Sequence, residues 1–226
     1  AKPRFMSGGQ ASVPLVLRTP HGGGVSAGPQ HSQCLEAWFA HVPGLKVVCP
    51  SDPASAHGLL LAAIDDPNPI IFIENKALYS MKAELHPEIG FFSLGKAQVL
   101  REGEDVSLIT YGAAVHTCLE AAAKMSSNGF EIEVVDLCTL QPWDQETVLN
   151  SLKKTNRLII VHEAVEAFGI GAEIAAVMAN IGFDYLDAPI QRVGAPFMPV
   201  PFSKNLEQAY LPSVSKVEQA VRRIVD

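Results

Sequence analysis

His31 is the residue whose type and position best suit proton transfer. It lies in the segment GPQHSQ (28–33), after a glycine-rich run and before an apolar stretch. The segment follows a predicted strand, and open α/β sheets place their sites in such loops. A free imidazole titrates close to neutral pH, so a histidine there can both donate and accept a proton. A lone histidine is as often a structural group, and these features alone leave a catalytic and a structural role equally open.

Two glycine motifs offer other chemistry. HGGG (21–24) follows a strand, as the oxyanion-hole loop of esterases does, but no serine has the strand-to-helix context that a nucleophile elbow requires. GIGAEI (169–174) is a partial dinucleotide-binding motif that lacks the third glycine. We interpret it as close packing at the start of a helix rather than as a nucleotide site.

The segment AAIDDPNP (62–69) places polar oxygens just past a helix end. Asp66 and Asn68 follow the last helical residues, where backbone carbonyls lack intrahelical partners. Carbonyl and side-chain oxygens that converge at such a point can hold a hard cation. The spacing alone favours a plain turn.

The composition is that of a globular protein with an ample core. Of the 226 residues, 48% are apolar and 18% are charged. The net charge of −7 and the lack of a basic stripe argue against nucleic-acid binding. No apolar run approaches the ~20 residues of a membrane span, so we expect no membrane insertion. The four cysteines form no C-x-x-C pair, which favours buried, reduced thiols and an intracellular compartment.

Strands and helices alternate in the first part of the chain. Ser32 and the pair Asp52-Pro53 resemble helix starts, and Leu35, Trp38 and Phe39 fall on one face of the helix predicted after Ser32. The predicted strands are VPLVLRT (13–19), LKVVCP (45–50) and IIFIE (70–74). This order is typical of a parallel α/β sheet.

The alternation is lost over residues 76–95, which we interpret as a linker, and it resumes at Lys96. The second part therefore reads as a complete α/β domain. Its predicted strands are 96–100, 105–112, 131–137, 157–163 and 190–194, and its predicted helices are 113–127, 144–152, 171–182 and a terminal helix from Val214.

Four runs of sequence resemble one protein family. They are the segment from Met6 to Tyr79 that contains QHSQ, LGKAQVLREGEDVSLITYG (94–112), LQPWDQETVLNSLKKTNRLIIVHEA (140–164) and DYLDAPIQRVGAPFMPVPF (184–202). The chain resembles the beta subunit of the thiamine-diphosphate-dependent 2-oxo acid dehydrogenases, the decarboxylating components of the pyruvate, branched-chain and acetoin dehydrogenase complexes.

The resemblance implies an α/β fold of two domains. Residues 1–75 would be the C-terminal part of the pyrimidine-binding domain, 76–95 the linker, and 96–226 a transketolase C-terminal-type domain with a mostly parallel sheet. The chain would then enter its first domain partway and lack the glutamate that contacts the cofactor's aminopyrimidine. We therefore assign no cofactor-binding residue, and we expect this chain alone to be inactive.

The resemblance also implies two sites. His31 would exchange protons as the acyl group moves from the cofactor to a lipoyl sulfur, with its ring oriented by Gln30, Ser32 and Gln33. A structural potassium ion would be held mostly by carbonyl oxygens. Its ligands would be Leu15, Ala63, Ile64, Asp66 and Asn68.

The implied reaction is oxidative decarboxylation of a 2-oxo acid followed by acyl transfer to a lipoyl domain. Thiamine diphosphate would be shared with an alpha subunit that also holds magnesium, in an α2β2 assembly with beta–beta contacts. The acyltransferase subunit-binding domain would be a further partner, and the compartment would be the cytoplasm or the mitochondrial matrix. The segments HSQCLEAWFAH, PWD and VHEA favour branched-chain or acetoin members.

Two alternatives remain from different classes of protein. The chain could be a non-catalytic module for dimerisation and docking in the same complex. A stand-alone transketolase-like enzyme would need a G-D-G diphosphate motif, which the sequence lacks.

Overall fold

The structure is a computed structural model that describes residues 1–84 and 92–225. Strands and helices alternate along most of it. The strands are β1 (Val16–His21), β2 (Lys46–Val48), β3 (Ile70–Asn75), β4 (Gln98–Arg101), β5 (Val106–Thr110), β6 (Ile132–Asp136), β7 (Thr139–Gln141), β8 (Leu158–Val165) and β9 (Gln191–Ala195). The helices are α1 (Pro3–Met6), α2 (Gly28–His31), α3 (Glu36–Ala40), α4 (Pro53–Asp65), α5 (Ala114–Ser126), α6 (Gln145–Thr155), α7 (Ile170–Ile181), α8 (Lys204–Tyr210) and α9 (Val214–Val225).

The first sheet has the strand order β1-β3-β2-β7. Its first three strands are parallel, with both Val16 and Lys46 opposite Ile70. The fourth strand, β7, comes from the second half of the chain and pairs antiparallel to β2. The sequence analysis did not predict β7, because three residues carry too little pattern.

Local signals define α4. The carboxylate of Asp52 accepts a hydrogen bond from the backbone N–H of Ser55, and the Ser55 hydroxyl accepts one from the N–H of Asp52. This reciprocal cap, with Pro53 in the first turn, confirms the predicted helix start. The helix ends at Asp65, before the segment DPNP.

The prediction that Ser32 caps a helix is wrong. Helix α3 begins at Glu36, and Leu35 is the residue before it. Residues 28–31 form a separate turn of helix instead. The carboxylate of Glu36 points inward to Tyr111 of the second half, and this contact decides where the helical turn lies. Trp38 is exposed, so the predicted apolar face is not formed as expected.

The second sheet has the order β4-β6-β5-β8-β9, and every pairing in it is parallel except that of β4 with β6. All five residues of β5 are buried, as expected for a parallel strand covered on both faces. The α/β class with a mostly parallel sheet is thus confirmed. Strands β4 and β5 flank the predicted turn, but both pair with β6 rather than with each other.

One apolar cluster joins the two sheets. Its members in the first sheet are Val47, Ile71 and Ile73, and those in the second include Ile109, Val135 and Ile160. A second cluster lies on the other face of the second sheet, against α5 and α9. Because the halves share a core, a side chain of one half can be held rigidly against a loop of the other.

The domain boundaries at residues 75 and 96 stay a prediction. Part of the predicted linker, residues 85–91, lies outside the described residues, while 76–78 form a 3₁₀ turn. Of the helices in the described ranges, none combines the length and the apolarity needed to cross a bilayer.

Candidate active site

His31 is the last residue of α2, and its side chain is exposed. A glycine-rich loop, residues 22–27, connects the end of β1 to this short helix. The backbone carbonyl of His31 accepts a hydrogen bond from the ammonium group of Lys76, which follows β3. The imidazole is therefore presented at the surface by a segment whose backbone is anchored.

Two carboxylates of the second half hold the glycine-rich loop. Oε1 of Glu163 in β8 accepts a hydrogen bond from the N–H of Gly23. Oε2 of Glu207 in α8 accepts one from the N–H of Ser26, at 2.9 Å. The side chain of Asn75 donates to the other oxygen of Glu163, at 2.6 Å. The loop that leads to His31 thus lies between the halves.

The predicted orienting role of Ser32 is wrong. Its hydroxyl is buried, and within the described part of the chain its oxygen has no hydrogen-bond partner. Gln30 and Gln33 are exposed, and among the described residues no hydrogen bond links their side chains to the His31 ring. Ser32 is buried whereas Gln30 and Gln33 are exposed, because α2 ends at His31 and the chain leaves the helix there.

Ser26 lies in a literal G-x-S-x-G match, GVSAG (24–28), that the sequence analysis did not weigh. Its φ of 55° is in the left-handed region, as in a nucleophile elbow. However, β1 ends at His21, and the Ser26 hydroxyl donates to Glu207 at 3.4 Å rather than to a histidine. The serine therefore lacks the base that a hydrolase nucleophile needs.

A cavity of about 300 Å³ opens beside the catalytic candidate. It begins at the residue after His31 and is mostly apolar, with Glu163 as its carboxylate. The residues that line it include Ser32, Cys34, Glu163, Phe197, Met198 and Tyr210. Such a cavity suits a small, mainly apolar group.

A buried polar cluster lies behind the loop, and the sequence analysis missed it. Oε1 of Glu36 accepts a hydrogen bond from the phenol of Tyr111 at 2.6 Å, and Oε2 lies 3.5 Å from Nδ1 of His21. Burial opposes the charge of Glu36, but the adjacent His21 ring and the hydrogen bond from the Tyr111 phenol outweigh it and lower the pKa of Glu36 to about 2. An acidic residue beside the apolar residues of a short helix was the available signal.

His21, Cys34 and Glu36 have the side-chain types of a metal site. One possible ligand atom of each lies within 4.8 Å of the others. Burial, followed by the charge of Glu163, raises the pKa of the Cys34 thiol well above its usual value. Both Glu36 oxygens face His21 and Tyr111, so we assign the cluster to the contact between the halves.

The structure brings the segments of the predicted potassium site together. The Leu15 carbonyl accepts a hydrogen bond from the Ile70 N–H at 2.8 Å, so the start of β1 lies beside the DPNP turn. The predicted ligands Ala63 and Ile64 are in the last turn of α4. Whether their carbonyl oxygens hold an ion stays a prediction.

The side chains of that turn already have partners. One oxygen of Asp66 accepts from the N–H and the amide group of Asn68, both at 2.8 Å, and the other contacts the ammonium of Lys46. Burial opposes the charge of Asp66, but the Lys46 and Asn68 hydrogen bonds lower its pKa. A cation held here would therefore depend on carbonyl oxygens rather than on this carboxylate.

Two family models match the chain. Residues 1–82 match the pyrimidine-binding domain of transketolase, and residues 95–217 match the transketolase C-terminal domain. The chain is also 44% identical to the pyruvate dehydrogenase E1 component subunit beta of Rickettsia felis, covering 99% of this chain and 69% of that protein. The chain belongs to the beta-subunit family of thiamine-diphosphate-dependent 2-oxo acid dehydrogenases.

Other relatives of this beta subunit carry two kinds of name. It is 51% identical to the acetoin:2,6-dichlorophenolindophenol oxidoreductase subunit beta of Bacillus subtilis, over 96% of this chain and 64% of that protein. It is 44% identical to the pyruvate dehydrogenase E1 component subunit beta of Rhizobium meliloti, over 99% of this chain and 49% of that protein. The chain thus spans between about half and two thirds of these two relatives.

Solved structures support the fold of the beta subunit. An inactive beta4 tetramer of a split-gene transketolase superposes with a TM-score of 0.79 at 24% identity, covering 95% of this chain and 67% of that one. Transketolase from Campylobacter jejuni gives 0.66 at 20% identity, covering 92% of this chain and 31% of that one. At these identities the likeness concerns the fold alone.

Proposed function

We propose that this chain belongs to a decarboxylating 2-oxo acid dehydrogenase in which His31 exchanges protons during acyl transfer to a lipoyl group. The observation that supports this role is the placement of His31. Its imidazole is exposed at the end of α2, on a backbone anchored by Lys76, and the next residue, Ser32, lines a cavity of about 300 Å³.

The size of this cavity favours a small group. A volume of about 300 Å³ lies at the lower end of small-molecule sites. The cavity therefore suits a short acyl chain alone better than an acyl chain together with a large cofactor. Thiamine diphosphate, when bound, supplies the carbanion chemistry of the decarboxylation. We propose that an alpha subunit holds its diphosphate and magnesium, and that this chain contributes the cavity wall and His31.

A single imidazole can both supply and recover the proton that the acyl transfer requires. When the lipoyl disulfide is cleaved, one sulfur bonds the acyl carbon and the other leaves with an electron pair and needs a proton. His31 donates that proton, and it recovers one from the hydroxyl that becomes the thioester carbonyl. An exposed, uncrowded imidazole can reach a lipoyl arm that enters from solvent.

Exposed aromatic residues support a protein partner on this side of the molecule. Phe168, Phe197 and Phe202 are each more than 70% exposed. The rings of Phe168 and Phe197 pack edge to face at 6.4 Å, and Phe202 lies beside Gly28 at the start of α2. Apolar groups in such a patch are typical of an interface. We propose that the alpha subunit of an α2β2 assembly covers it.

Other contacts of the assembly are proposed from the family. They are beta–beta self-association, the acyltransferase subunit-binding domain and the lipoyl domain, and the net charge of −7 suits a basic docking domain. The names of two rice relatives include the word mitochondrial, and the bacterial ones do not. We propose the cytoplasm or the mitochondrial matrix as the compartment.

Acetoin is a second candidate substrate. The acetoin oxidoreductase subunit of B. subtilis is 51% identical to this chain, against 44% for the pyruvate enzyme of R. meliloti. Comparing kcat/KM for pyruvate, a branched-chain 2-oxo acid and acetoin in the reconstituted enzyme decides between them. A preference of tenfold or more for acetoin would replace the 2-oxo acid assignment.

The test of the catalytic role is His31→Ala in the full-length beta subunit, reconstituted with its alpha subunit. We expect lipoyl-domain acylation to fall by about 10²- to 10⁴-fold, the range of general acid–base catalysis, with thiamine diphosphate affinity unchanged. His41→Ala is the matched control, because His41 is an exposed histidine just after α3. Wild-type acylation by the His31→Ala enzyme would refute the proposal.

The docking-module alternative predicts a different result. Titration of the full-length chain with thiamine diphosphate, with and without an alpha subunit, should give binding only when the alpha subunit is present if the chain is part of an enzyme. Binding in neither case would favour a non-catalytic module.

We also propose that a potassium ion binds at the carbonyl oxygens of Leu15, Ala63 and Ile64 with Asp66 and Asn68. The adjacency of the β1 start and the DPNP turn supports this site. Thallium-soaked crystals should give an anomalous peak there, and its absence would count against the site.

A further inference from the structure

We infer that Glu163 and Glu207 are positioning residues that set the orientation of His31 from the opposite half of the chain. This inference rests on the proposed role of His31. Neither glutamate contacts the His31 ring in the described hydrogen bonds; both bind the backbone of the loop that leads to it.

Glu163 anchors the start of the loop. It lies in β8, a central strand of the second sheet, and it accepts from the Gly23 N–H with one oxygen and from the Asn75 amide with the other. Asn75 ends β3, so the carboxylate joins the loop to both sheets at one point. Hydrogen bonds to a charged acceptor are stronger than neutral ones, so this contact restrains the loop well.

Glu207 anchors the middle of the loop. Its carboxylate is buried, and Oε2 accepts from both the N–H and the hydroxyl of Ser26. Ser26 has a φ of 55°, a left-handed conformation that is strained for a residue with a side chain. The bonds from Ser26 to Glu207 explain why the loop keeps this conformation.

Lys76 anchors the end of α2, which follows the loop, at the His31 carbonyl. It lies near both glutamates: burial lowers its pKa, and the charges of Cys34, Glu163 and Glu207 oppose that shift. Three charged side chains thus hold the backbone of residues 22–31, at Gly23, Ser26 and His31. The loop has few contacts of its own that could do this, because it belongs to no sheet ladder.

The glycines leave room for the two carboxylates. A Cβ at Gly23 would lie 3.3 Å from Oε1 of Glu207 and 3.4 Å from Oε1 of Glu163. A larger residue at position 23 would therefore push the carboxylates away from the N–H groups that they bind. The second half of the chain, rather than the loop itself, then determines where the imidazole is presented.

The experiment uses the full-length chain reconstituted with its alpha subunit and the variants Glu163→Ala, Glu163→Gln, Glu207→Ala and Glu207→Gln. Asp105→Ala is the matched control, because Asp105 also accepts a backbone hydrogen bond, from Glu131 at 2.6 Å, in a turn of the second half. Hydrogen exchange of residues 22–31 and the kinetics of lipoyl acylation are measured for each variant.

We expect each alanine variant to raise amide exchange in residues 22–31 by about tenfold, as loss of a charge-assisted bond implies. The kcat of acylation should fall by about 10- to 100-fold, while the KM for the lipoyl domain changes less than threefold. Because glutamine keeps an acceptor oxygen, the glutamine variants should recover a large part of the rate. Asp105→Ala should match the wild type in both measurements.

The outcomes separate this inference from the proposed function. Wild-type exchange and kcat in both alanine variants would overturn the positioning role, even if His31→Ala is inactive. Wild-type acylation by His31→Ala would overturn the proposed function, while exchange would still report on the loop. If an alanine variant fails to fold, Glu163→Lys or Glu207→Lys decides, because lysine cannot accept the bond from the loop N–H: wild-type exchange and rate in a folded lysine variant overturn the inference, and raised exchange with a lowered rate supports it.

Discussion

The glycine-rich segments 21–24 and 169–171 use the same residue type for opposite purposes. In the first, the glycine N–H groups face charged side chains: Gly23 donates to Glu163, and the loop continues to an exposed histidine. In the second, the glycines lie against a buried ring, and a Cβ at Gly171 would be only 2.5 Å from Nε2 of His162. The first segment is held by polar contacts and the second by close packing.

The histidine that packs against the second segment is His162, which is buried. Nδ1 of His162 lies 3.0 Å from the Ala164 carbonyl, and Nε2 is buried with no hydrogen-bond partner among the described residues. Burial lowers the pKa of His162. With the glycines packed on this ring, the close-packing interpretation of GIGAEI is confirmed.

The comparison indicates how sequence glycines should be weighed. Glycine leaves a backbone N–H accessible, as in the first segment, and it removes bulk at a helix start, as in the second. Only the side chains that approach from elsewhere in the fold distinguish the two uses. Substitutions at Gly171 and Gly23 test this difference, and Asp136→Asn tests a polar contact between the halves; the three are given from the largest expected effect on stability to the smallest.

Gly171→Ala should have the largest effect on stability. The added methyl group meets a rigid buried ring, and we expect the free energy of unfolding to fall by about 3 kcal/mol. Urea denaturation of the full-length chain measures it. Gly129→Asn is the control for backbone strain without crowding, since Gly129 has a left-handed φ of 86° and open space around it, and it should cost about 1 kcal/mol. A loss below 1 kcal/mol in Gly171→Ala would contradict the packing argument.

Asp136→Asn tests whether the carboxylate of Asp136, which accepts a hydrogen bond from Ser51 of the other half, must be charged. Burial raises the pKa of Asp136 to about 6, although Ser51 of the first half donates to it at 2.5 Å. The folded state therefore retains a proton between pH 4 and 6 that the unfolded state has lost, and stability falls as the pH rises through this range.

Above pH 6 the unfavourable charge of Asp136 lowers the free energy of unfolding by roughly 3 kcal/mol, the equivalent of about two pKa units. Asp136→Asn removes this cost, but the hydrogen bonds lost with the carboxylate offset part of the gain in stability. We expect the variant to be about 1–2 kcal/mol more stable at pH 7 and to lack the decline between pH 4 and 6. Urea unfolding at four pH values tests this, with the exposed Glu120→Gln as control. An unchanged pH profile would contradict the raised pKa.

Gly23→Ala should have the smallest effect on stability. Its nearest contacts would be 3.2–3.4 Å, tight but adjustable, so we expect a loss below about 1 kcal/mol. The rate of lipoyl acylation should nevertheless fall about tenfold, because the carboxylates are displaced from the loop. A variant with normal acylation would show that the loop tolerates this crowding.

Where short-range signals decided the structure, the sequence was sufficient. The Asp52 cap with Pro53 and the Asp144 cap of α6 were both read correctly, because each acts on a backbone N–H three residues away. The apolar runs of β5 and β8 likewise predicted buried parallel strands. The motif QHSQ singled out His31 in the sequence, and in the structure its side chain is exposed to solvent.

Tertiary contacts decided the rest. The Ser32 cap was wrong because the start of α3 depends on a contact between Glu36 and Tyr111, which are 75 residues apart. Strand β7 forms only because β2 of the other half lies beside it. Such pairings have no local pattern, since the energy that favours them comes from a partner distant in sequence.

By itself the sequence determined the α/β class, the main strands and helices and the family, and it singled out His31 as the histidine proposed to transfer protons. The fold alone decided which side chains hold that histidine's loop. Gly23 and Glu163 are 140 residues apart, and Ser26 and Glu207 are 181 apart. A carboxylate's partner is set by where the folded backbone brings an N–H group, and no spacing along the chain encodes that meeting.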